Sequence, residues 1–229
     1  MTDAVLLDVG GVLLLPDPGA MRRGLPAGLD PTTAQMDRAH YRAVADNDAV
    51  GHFDRFRYLT SYVTYCGVSP DQVDEVVATL APIYLAHNWA RVVPGSARGL
   101  RRLVGTGVPV GIVSNAGGNM AELLVRSGLC QVGPRPHAPV RVVVDSTVVG
   151  VAKPDPAIFR FALAELPGAE KIMYVGDTGC LDVVSARSAG LRPVHMDPYG
   201  FCPRPDDHEH VADLAELLPL ISENQSVCR

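Results

Sequence analysis

The stretch Ala4-Val-Leu-Leu-Asp-Val-Gly-Gly-Val12 decides the fold, because it places a short apolar run directly before an acid and a pair of glycines. Such a run is typical of a strand that is buried on both faces of a parallel sheet and stops at a turn. The pattern occurs three more times: residues 108–113 run into Ser114-Asn115, residues 141–144 into Asp145-Ser146, and residues 172–175 into Gly176-Asp177. We therefore predict four strands of one parallel sheet.

Helical segments separate these strands, and the spacing predicts helices over 96–104, 119–127, 155–166 and 181–188. Strands that alternate with helices favour an α/β fold, a doubly wound parallel sheet covered by helices on both faces. In such sheets ligands bind beyond the carboxyl ends of the strands. Asp8, Ser114 and Asp177 all fall at those ends.

A long segment after the first strand lacks the strand pattern and predicts an inserted α-helical cap domain. Tyr58, Tyr62 and Tyr65 recur there at helical spacing. We place the catalytic core at residues 1–16 and 92–229 and the helical domain at 17–91. The proline-rich segment 133–139 predicts a surface loop.

Composition narrows the class of protein. The 229 residues include 25 acidic and 20 basic side chains, for a net charge of −5, which argues against binding to nucleic acid or to an anionic membrane. No stretch reaches the roughly 20 apolar residues of a membrane helix, and the amino terminus lacks the pattern of a secretory signal. The cysteines form no C-x-x-C pair, so we expect a reduced, cytoplasmic protein. They are Cys66, Cys130, Cys180, Cys202 and Cys228.

Three carboxylates are predicted to meet at one edge of the sheet. Asp8 alone has an equally good structural interpretation, as an acid held by the amides of a turn. Asp177 and Asp182, however, lie five residues apart at the end of another strand. Acids gathered in this way repel one another unless a cation lies between them, and Mg²⁺ suits a site with few protein carboxylates and a phosphate.

Two further polar residues are predicted to reach the same edge. Lys153 precedes Pro154, Asp155 and a predicted helix, and Ser114 ends the second strand of the predicted sheet. Taken singly, a lysine on a turn and a serine at a strand end are commonplace. Together with the acids they provide a nucleophile, phosphate donors, a cation and metal ligands on one rim.

At this point the sequence resembles the haloacid dehalogenase-like (HAD) superfamily in all four of its motifs. Asp8-Val-Gly-Gly-Val12 is similar to the first motif, Ser114 to the second, Lys153 to the third, and Gly176-Asp177 through Asp182 to the fourth. The insert after the first motif is similar to a helical cap of the first type. The resemblance implies a Rossmann-like core and a Mg²⁺-dependent phosphatase that acts on a small phosphorylated metabolite.

The resemblance also implies roles for individual residues. Asp8 attacks phosphorus and forms an aspartyl-phosphate, which water then hydrolyses. The implied metal ligands are Asp8, the main-chain carbonyl of Gly10, Asp177, and Asp182 directly or through water. The implied phosphate-binding residues are Val9, Gly10, Ser114, Asn115 and Lys153.

The sequence departs from the family's phosphatases at Gly10, where they usually have a second aspartate that protonates the leaving oxygen. Glycine keeps the main-chain carbonyl but has no acid. General acid–base catalysis typically contributes about 10²–10⁴-fold, so we expect slow turnover of alkyl phosphates. Aryl, acyl and anomeric phosphates, which have more acidic leaving groups, should suffer least.

Two alternatives to the phosphatase stay open at this stage. A catalytically weak protein that binds a phosphorylated ligand or a protein partner would explain Gly10, although it has no need of the nucleophile. A metal-free haloacid dehalogenase would use the same Asp8 on carbon, but its relatives do not keep the acidic pair formed by Asp177 and Asp182.

Other polar residues receive weaker interpretations. Six residues of the insert are candidates to reach the substrate, and none is singled out: Arg22, His40, Tyr41, Arg42, Arg55 and Arg57. We interpret His195 as a strand-end residue and Cys180 as a small buried one. His208 and His210 suggest a metal site, but so polar a run before the last helix is more typical of a solvated segment.

Overall fold

The computed structural model of the protein describes residues 1–85, 89–134 and 136–222. Its strands are β1 Ala4–Leu7, β2 Leu14–Pro16, β3 Trp89–Val92, β4 Val110–Ser114, β5 Cys130–Val132, β6 Ala138–Val140, β7 Val143–Asp145, β8 Ile172–Gly176, β9 Arg192–Met196 and β10 Glu209–Val211. Its helices are α1 Pro18–Arg22, α2 Thr33–Val50, α3 Arg55–Tyr65, α4 Val73–Leu85, α5 Ser96–Gly105, α6 Met120–Arg126, α7 Ser146–Val149, α8 Phe159–Leu163, α9 Val184–Ser188 and α10 Leu217–Ser222.

Six strands form one parallel sheet in the order β10-β9-β8-β1-β4-β7. Strand β1 lies at its centre, with Val5 opposite Val110 of β4 and Met173 of β8. The predicted α/β fold with a parallel sheet is therefore confirmed. Because β1, β4 and β8 run in the same direction, their carboxyl ends share one edge.

Both faces of this sheet are covered, as the continuous apolar strands predict. Along β1 the side chains alternate: Val5 and Leu7 belong to one hydrophobic cluster, with Leu100 and Leu103 of α5. Leu6 belongs to another cluster on the opposite face, which holds residues of α8 and α9. All four residues of β1 are fully buried, which explains the absence of polar residues in the strand.

The segment between β2 and β3 contains helices α1 to α4, which enclose a hydrophobic cluster of their own. Tyr58 and Tyr62 are fully buried in this cluster, whereas Tyr65 is exposed. Thr32 starts α2 with a capping box: its hydroxyl accepts from the Gln35 amide, and the Gln35 side chain accepts in return from the Thr32 amide. The β2 and β3 strands pair antiparallel, so the chain enters and leaves this segment through one ribbon. The domain boundaries at residues 16 and 92 stay a prediction.

The structure departs from the sequence-based expectations in three places. Residues 155–166 begin as a 3-10 turn over Pro156–Ile158 and continue as the short helix α8. The expected loop over 133–139 ends in strand β6, which pairs with β5 in a small parallel ribbon. Strands β9 and β10 extend the sheet beyond β8 and include His195 and His210. Among the described residues, no helix combines the length and the apolar character needed to cross a membrane.

Candidate active site

The predicted acids meet beyond the carboxyl ends of the central strands. Asp8 directly follows β1, and Asp177 directly follows the neighbouring strand β8. Carboxylate oxygens of Asp8, Asp177 and Asp182 all lie within 4.8 Å of one another, and all three side chains are buried. The sheet thus brings together residues separated by about 170 positions.

Two glycines allow this approach. Gly11 has a φ of 62°, in the left-handed region that favours glycine, and a Cβ at this position would overlap the Asp177 side chain. A Cβ at Gly176 would likewise overlap Asp182. Both glycines are therefore needed so that the acids can lie against the main chain.

The Lys153 ammonium group lies among these acids. Its Nζ is 3.0 Å from Oδ1 of Asp8 and 2.6 Å from Oδ1 of Asp182. It also donates to the Tyr174 hydroxyl at 2.7 Å. Burial alone would lower the pKa of Lys153, but the Asp182 and Asp8 carboxylates outweigh burial and raise that pKa above its usual value. Lys153 is therefore a fixed positive charge beside Asp8.

Asp182 uses both of its oxygens within the protein. Oδ1 accepts from Lys153 and, at 2.8 Å, from the Tyr174 hydroxyl, while Oδ2 accepts from the main-chain N–H and the hydroxyl of Thr178. Burial raises the pKa of Asp182, but the Lys153 ammonium and these hydrogen bonds outweigh burial and lower that pKa. These contacts favour a role for Asp182 in holding Lys153 beside Asp8, with any metal contact made through water.

Asp8 and Asp177 are poorly compensated by comparison. Burial and the neighbouring carboxylates raise the pKa of Asp8 to about 7, against the opposing effect of Lys153. Burial and the charge of Asp182 raise the pKa of Asp177 well above its usual value. Oδ1 of Asp8 is buried and has no well-aligned hydrogen bond among the described residues, although Lys153 lies nearby. Buried carboxylates that repel one another, one of them with an oxygen that lacks a hydrogen-bond partner, fit a divalent cation such as Mg²⁺.

The predicted phosphate-binding residues border a cavity of about 340 Å³ above the acids, which Val9, Gly10, Ser114, Asn115 and Lys153 all line. The Asn115 side chain is already engaged, since it accepts from the Lys153 main-chain N–H at 2.8 Å and donates to the Lys153 carbonyl at 2.9 Å. A phosphate contact from Asn115 would therefore have to come from its main-chain N–H. Its side chain fixes the loop that presents Lys153.

Helix α2 contacts the site through two of the candidate residues of the insert. Nε2 of His40 lies 3.0 Å from Oδ2 of Asp177, and its Nδ1 lies 2.8 Å from the Tyr58 hydroxyl. The Tyr41 hydroxyl donates to the main-chain carbonyl of Gly11 at 2.6 Å. Burial lowers the pKa of His40 to about 3, so the ring is neutral and its Nε2–H donates to Asp177.

Asp48 makes a third contact between helix α2 and the core, which no pattern in the sequence predicted. Both oxygens of the buried Asp48 accept main-chain N–H groups of the core, from Gly179 at 2.7 Å and from Cys180 at 2.8 Å. Asp48 thereby ties α2 to the turn that follows Asp177. An acid near the end of a helix has no pattern that distinguishes such a long-range contact from ordinary surface charge.

The four candidate arginines of the insert differ in their contacts and in their distance from the cavity. Arg22 hydrogen-bonds the Pro31 carbonyl within the insert, Arg42 lies over the ring of Phe201, and Arg57 is exposed. Arg55 lines the cavity, and its Nε is buried without a hydrogen-bond partner among the described residues. Only Arg55 among these four is placed to meet a ligand in the cavity.

The histidines near the carboxyl terminus also lie close to the acids. His195 is buried in β9, and its Nε2 lies 2.8 Å from the main-chain carbonyl oxygen of Asp177. The polar run is solvated as expected at Asp206, Asp207 and Glu209, but not at His208, where only 4% of the side chain is exposed. Cys180 is buried, and burial raises the pKa of its thiol.

Comparison with known proteins agrees with this geometry. Residues 2–190 match the family model of the haloacid dehalogenase-like hydrolases. The chain is 29% identical over 226 residues to the phosphoglycolate phosphatase of Rhodospirillum rubrum, which covers 95% of this chain and 86% of that one. It is 45% identical to the phosphoserine phosphatase of Thermus thermophilus over 74 residues, 32% of this chain and 28% of that one.

Solved structures share the fold. The magnesium-bound structure of YfnB from Bacillus subtilis superposes with a TM-score of 0.62 at 18% identity, covering 96% of this chain and 98% of that one. The 2-haloacid dehalogenase of Pseudomonas syringae pv. tomato gives a TM-score of 0.54 at 20% identity, covering 97% and 98%. With its family match and its phosphatase relatives, the chain belongs to the haloacid dehalogenase-like hydrolases and is a hydrolytic enzyme of that family.

Proposed function

We propose that this protein is a Mg²⁺-dependent phosphatase that cleaves a small phosphorylated metabolite through an aspartyl-phosphate on Asp8. The observation that supports this most directly is the placement of Asp8. It shares a buried cluster with Asp177 and Asp182, lies 3.0 Å from the Lys153 ammonium, and faces a cavity of about 340 Å³. A cavity of that size suits a small substrate.

The residues that would hold Mg²⁺ are Asp8, Asp177 and the main-chain carbonyl of Gly10, with Asp182 acting through water. All are oxygen donors, which Mg²⁺ prefers. When bound, the ion would neutralise the repulsion among the carboxylates and the charge of the phosphate. A fold neighbour from Bacillus subtilis is known in a magnesium-bound form, which is consistent with this assignment.

The chemistry assigned to the protein's own residues has two steps. A carboxylate oxygen of Asp8 attacks phosphorus, and the bond from phosphorus to the leaving oxygen breaks with its electron pair on that oxygen. Water then attacks the aspartyl-phosphate, which releases phosphate and restores Asp8. Ser114 and main-chain N–H groups of Val9, Gly10 and Asn115 would hold the phosphate oxygens, while Lys153 stabilises the developing charge.

Gly10 limits the first step, because no acid at this position protonates the leaving oxygen. His40 does not replace that acid: its Nε2–H donates to Asp177, and its Nδ1 accepts from Tyr58. The leaving oxygen must therefore depart with little protonation or take its proton from water. This favours substrates whose leaving groups are acidic, such as aryl, acyl and anomeric phosphates.

The apolar part of the cavity lining supports a proposal for the organic portion of the substrate. Several of its side chains are apolar or aromatic, including Phe53, Tyr84, Trp89, Met120 and Leu123. Arg55 adds one unpaired N–H to this surface. We expect an organic portion with an apolar body and an anionic group that Arg55 can pair with. Two relatives are named for phosphoglycolate and phosphoserine, each of which has a carboxylate next to its ester.

The cellular setting is also part of the proposal. The described cysteines Cys66, Cys130, Cys180 and Cys202 form no disulfide, which suits the reducing cytoplasm. The net charge of −5 argues against nucleic acid or an anionic membrane as partners.

The deciding experiment measures phosphate release from a panel of esters, with Mg²⁺ and with a chelator. The panel contains p-nitrophenyl phosphate, acetyl phosphate, phosphoglycolate and phosphoserine. We expect Mg²⁺-dependent turnover that is faster for the aryl and acyl phosphates. Asp8→Asn should abolish it, whereas Asp30→Asn, at a surface position in the insert, should not.

Two other results would replace the proposal. Tight binding of a phosphate ester without turnover in excess Mg²⁺ would identify a binding protein. Gly10 is the reason to test this, because it lacks the acid that turnover of an alkyl phosphate needs. Halide release from a 2-haloacid that is unaffected by the chelator would identify a dehalogenase.

A further inference from the structure

A second cluster of metal-binding side chains lies next to Asp177, and none of its four members lines the cavity described above. His195 belongs to β9 and His210 to β10, and the two are direct partners in the parallel register. Cys202 and His208 come from the chain between these strands. One ligand atom from each of the four residues lies within 4.8 Å of the other three. We propose that these three imidazoles and one thiolate form a zinc site.

The hydrogen bonds of His195 fix which nitrogen carries its hydrogen. Its Nε2 lies 2.8 Å from the main-chain carbonyl oxygen of Asp177, and a carbonyl only accepts. The hydrogen is therefore on Nε2, and Nδ1 presents a lone pair to the cluster. Metal-bound histidines usually donate their outer N–H to a carbonyl or carboxylate in this way.

His208 shows the same arrangement from the opposite side. Its Nδ1 lies 3.2 Å from Oδ2 of Asp207, so the hydrogen on Nδ1 faces a carboxylate and Nε2 is bare. This unprotonated Nε2 lies 2.9 Å from the unprotonated Nδ1 of His195. Two lone pairs at this separation repel unless a cation or an extra proton lies between them.

The other two residues also offer electron pairs. Sγ of Cys202 lies 3.7 Å from Nε2 of His208 and accepts the main-chain N–H of Arg204 at 3.4 Å. Burial raises the pKa of this thiol, and the Arg204 contact acts against burial. Nε2 of His210 is buried and has no hydrogen-bond partner among the described residues. The His210 ring centroid lies 4.5 Å from that of His208 and 5.1 Å from that of His195. Four donors therefore converge, and that of His210 is otherwise unused.

The donor set selects zinc over the ion proposed for the acids. Zinc binds imidazole nitrogen at about 2.0–2.1 Å and thiolate at about 2.3 Å in a tetrahedron, which sets neighbouring donors roughly 3.3–3.6 Å apart. The separations of 2.9 Å and 3.7 Å lie on either side of that range. Mg²⁺ prefers oxygen donors and does not compete for this site.

Four protein donors complete the coordination, so the site would be structural. It would join β9, β10 and the intervening loop, and it would hold the ring that donates to the Asp177 carbonyl. His195 is thus a positioning residue for the metal ligand Asp177.

The first test uses the full chain purified without a polyhistidine tag. Elemental analysis should find one zinc per chain that dialysis against Mg²⁺ does not remove. After a strong chelator strips the zinc, titration with Co²⁺ should give tetrahedral absorption bands and a thiolate-to-cobalt charge-transfer band, saturating at one equivalent. Zinc at background level, or cobalt spectra of an octahedral all-oxygen site, would overturn the proposal.

Variants locate the ion. Cys202→Ser should remove the charge-transfer band, and His208→Ala should weaken Co²⁺ binding at least about tenfold. Cys66→Ala and His52→Ala are matched controls outside the cluster and should bind as the wild type does. Asp8→Asn should keep its full zinc content, which separates this site from the acidic one. A charge-transfer band that persists in folded Cys202→Ser, with the fold checked by circular dichroism, would refute the assignment.

Discussion

Oδ1 of Asp8 lies 3.0 Å from Nζ of Lys153, and Asp182 holds that ammonium from the other side at 2.6 Å. The chain has only two lysines, and this one is buried while Lys171 is exposed. Burying an ammonium is costly unless it is paired. The pairing is consistent with a need for this charge beside Asp8, the proposed nucleophile.

Replacing Lys153 with Met should lower kcat on p-nitrophenyl phosphate by about 10²–10³-fold, the usual effect of removing one preorganised donor to the transition state. Lys171→Met is the matched control and should keep wild-type kinetics. Steady-state assays in saturating Mg²⁺ measure both. Equal kinetics for the two variants would remove Lys153 from the mechanism.

Gly10→Asp should raise the rate on an alkyl phosphate by on the order of 10²-fold, because it adds a proton donor near the leaving oxygen. The position has room: a Cβ there would lie 3.4 Å from the Trp89 ring, an ordinary contact, and 4.0 Å from Oδ2 of Asp8. Gly10→Asn has a similar shape without the acid and should give little gain. If Gly10→Asp left the alkyl rate unchanged, our account of the missing acid would be wrong.

Stability should depend on pH and Mg²⁺ together. The pKa of Asp8 is raised to about 7, so the folded state holds a proton that the unfolded chain releases near its usual value of 3.8. The protonated Asp8 carboxyl therefore adds to the free energy of unfolding. This stabilisation is complete below pH 3.8 and is lost as the pH rises through about 7. The metal-free protein should therefore melt at a lower temperature at about pH 8 than at about pH 5.

On the proposed assignment Mg²⁺ binds the ionised carboxylates, so it should raise the melting temperature more at about pH 8 than at about pH 5. Thermal shift assays with added Mg²⁺ and after dialysis into Mg²⁺-free buffer, without a chelator, test both statements. Asp8→Asn should flatten the pH dependence of the metal-free protein. A larger Mg²⁺ effect at the acidic pH would contradict the assignment of these acids as ligands.

Arg55→Leu should raise KM for an anionic substrate about 10- to 100-fold with little change in kcat, because a charge-assisted hydrogen bond remote from the reacting atoms contributes to substrate and transition state alike. Arg57→Leu, at an exposed position on the same helix, should behave like the wild type. The two variants are compared on phosphoglycolate and on p-nitrophenyl phosphate, whose organic portion has no carboxylate. A change in KM of equal size for both esters would show that Arg55 does not bind the carboxylate of the substrate.

The centre of the sheet and the meeting of the acids at its edge were predictable, because buried parallel strands have a plain signature and because Asp8, Ser114 and Asp177 directly follow or end such strands. Strand β10 was not predictable, because it is a three-residue edge strand with two polar residues, Glu209 and His210. Edge strands face solvent and need no apolar run.

The contacts of His195 and Asp48 escaped prediction for a related reason. His195 meets His210 only through the pairing of β9 with β10, and Asp48 meets Gly179 only after α2 packs on the core. No local spacing encodes such neighbours. Patterns along the chain predict which face of a helix or strand a residue lies on. Its contacts with distant parts of the chain are seen only in the folded structure.

The two adjacent glycines after Asp8 differ in the substitutions that they can accept. Any side chain at Gly11 would overlap Asp177, so selection has almost no alternatives there, whereas Gly10 opens toward the Trp89 ring at ordinary contact distance. A glycine codon that ends in a pyrimidine becomes an aspartate codon through one base change. A lineage carrying this scaffold therefore has a short mutational path between two leaving-group preferences, and laboratory selection on an alkyl phosphate should recover replacements at residue 10 before any at residue 11.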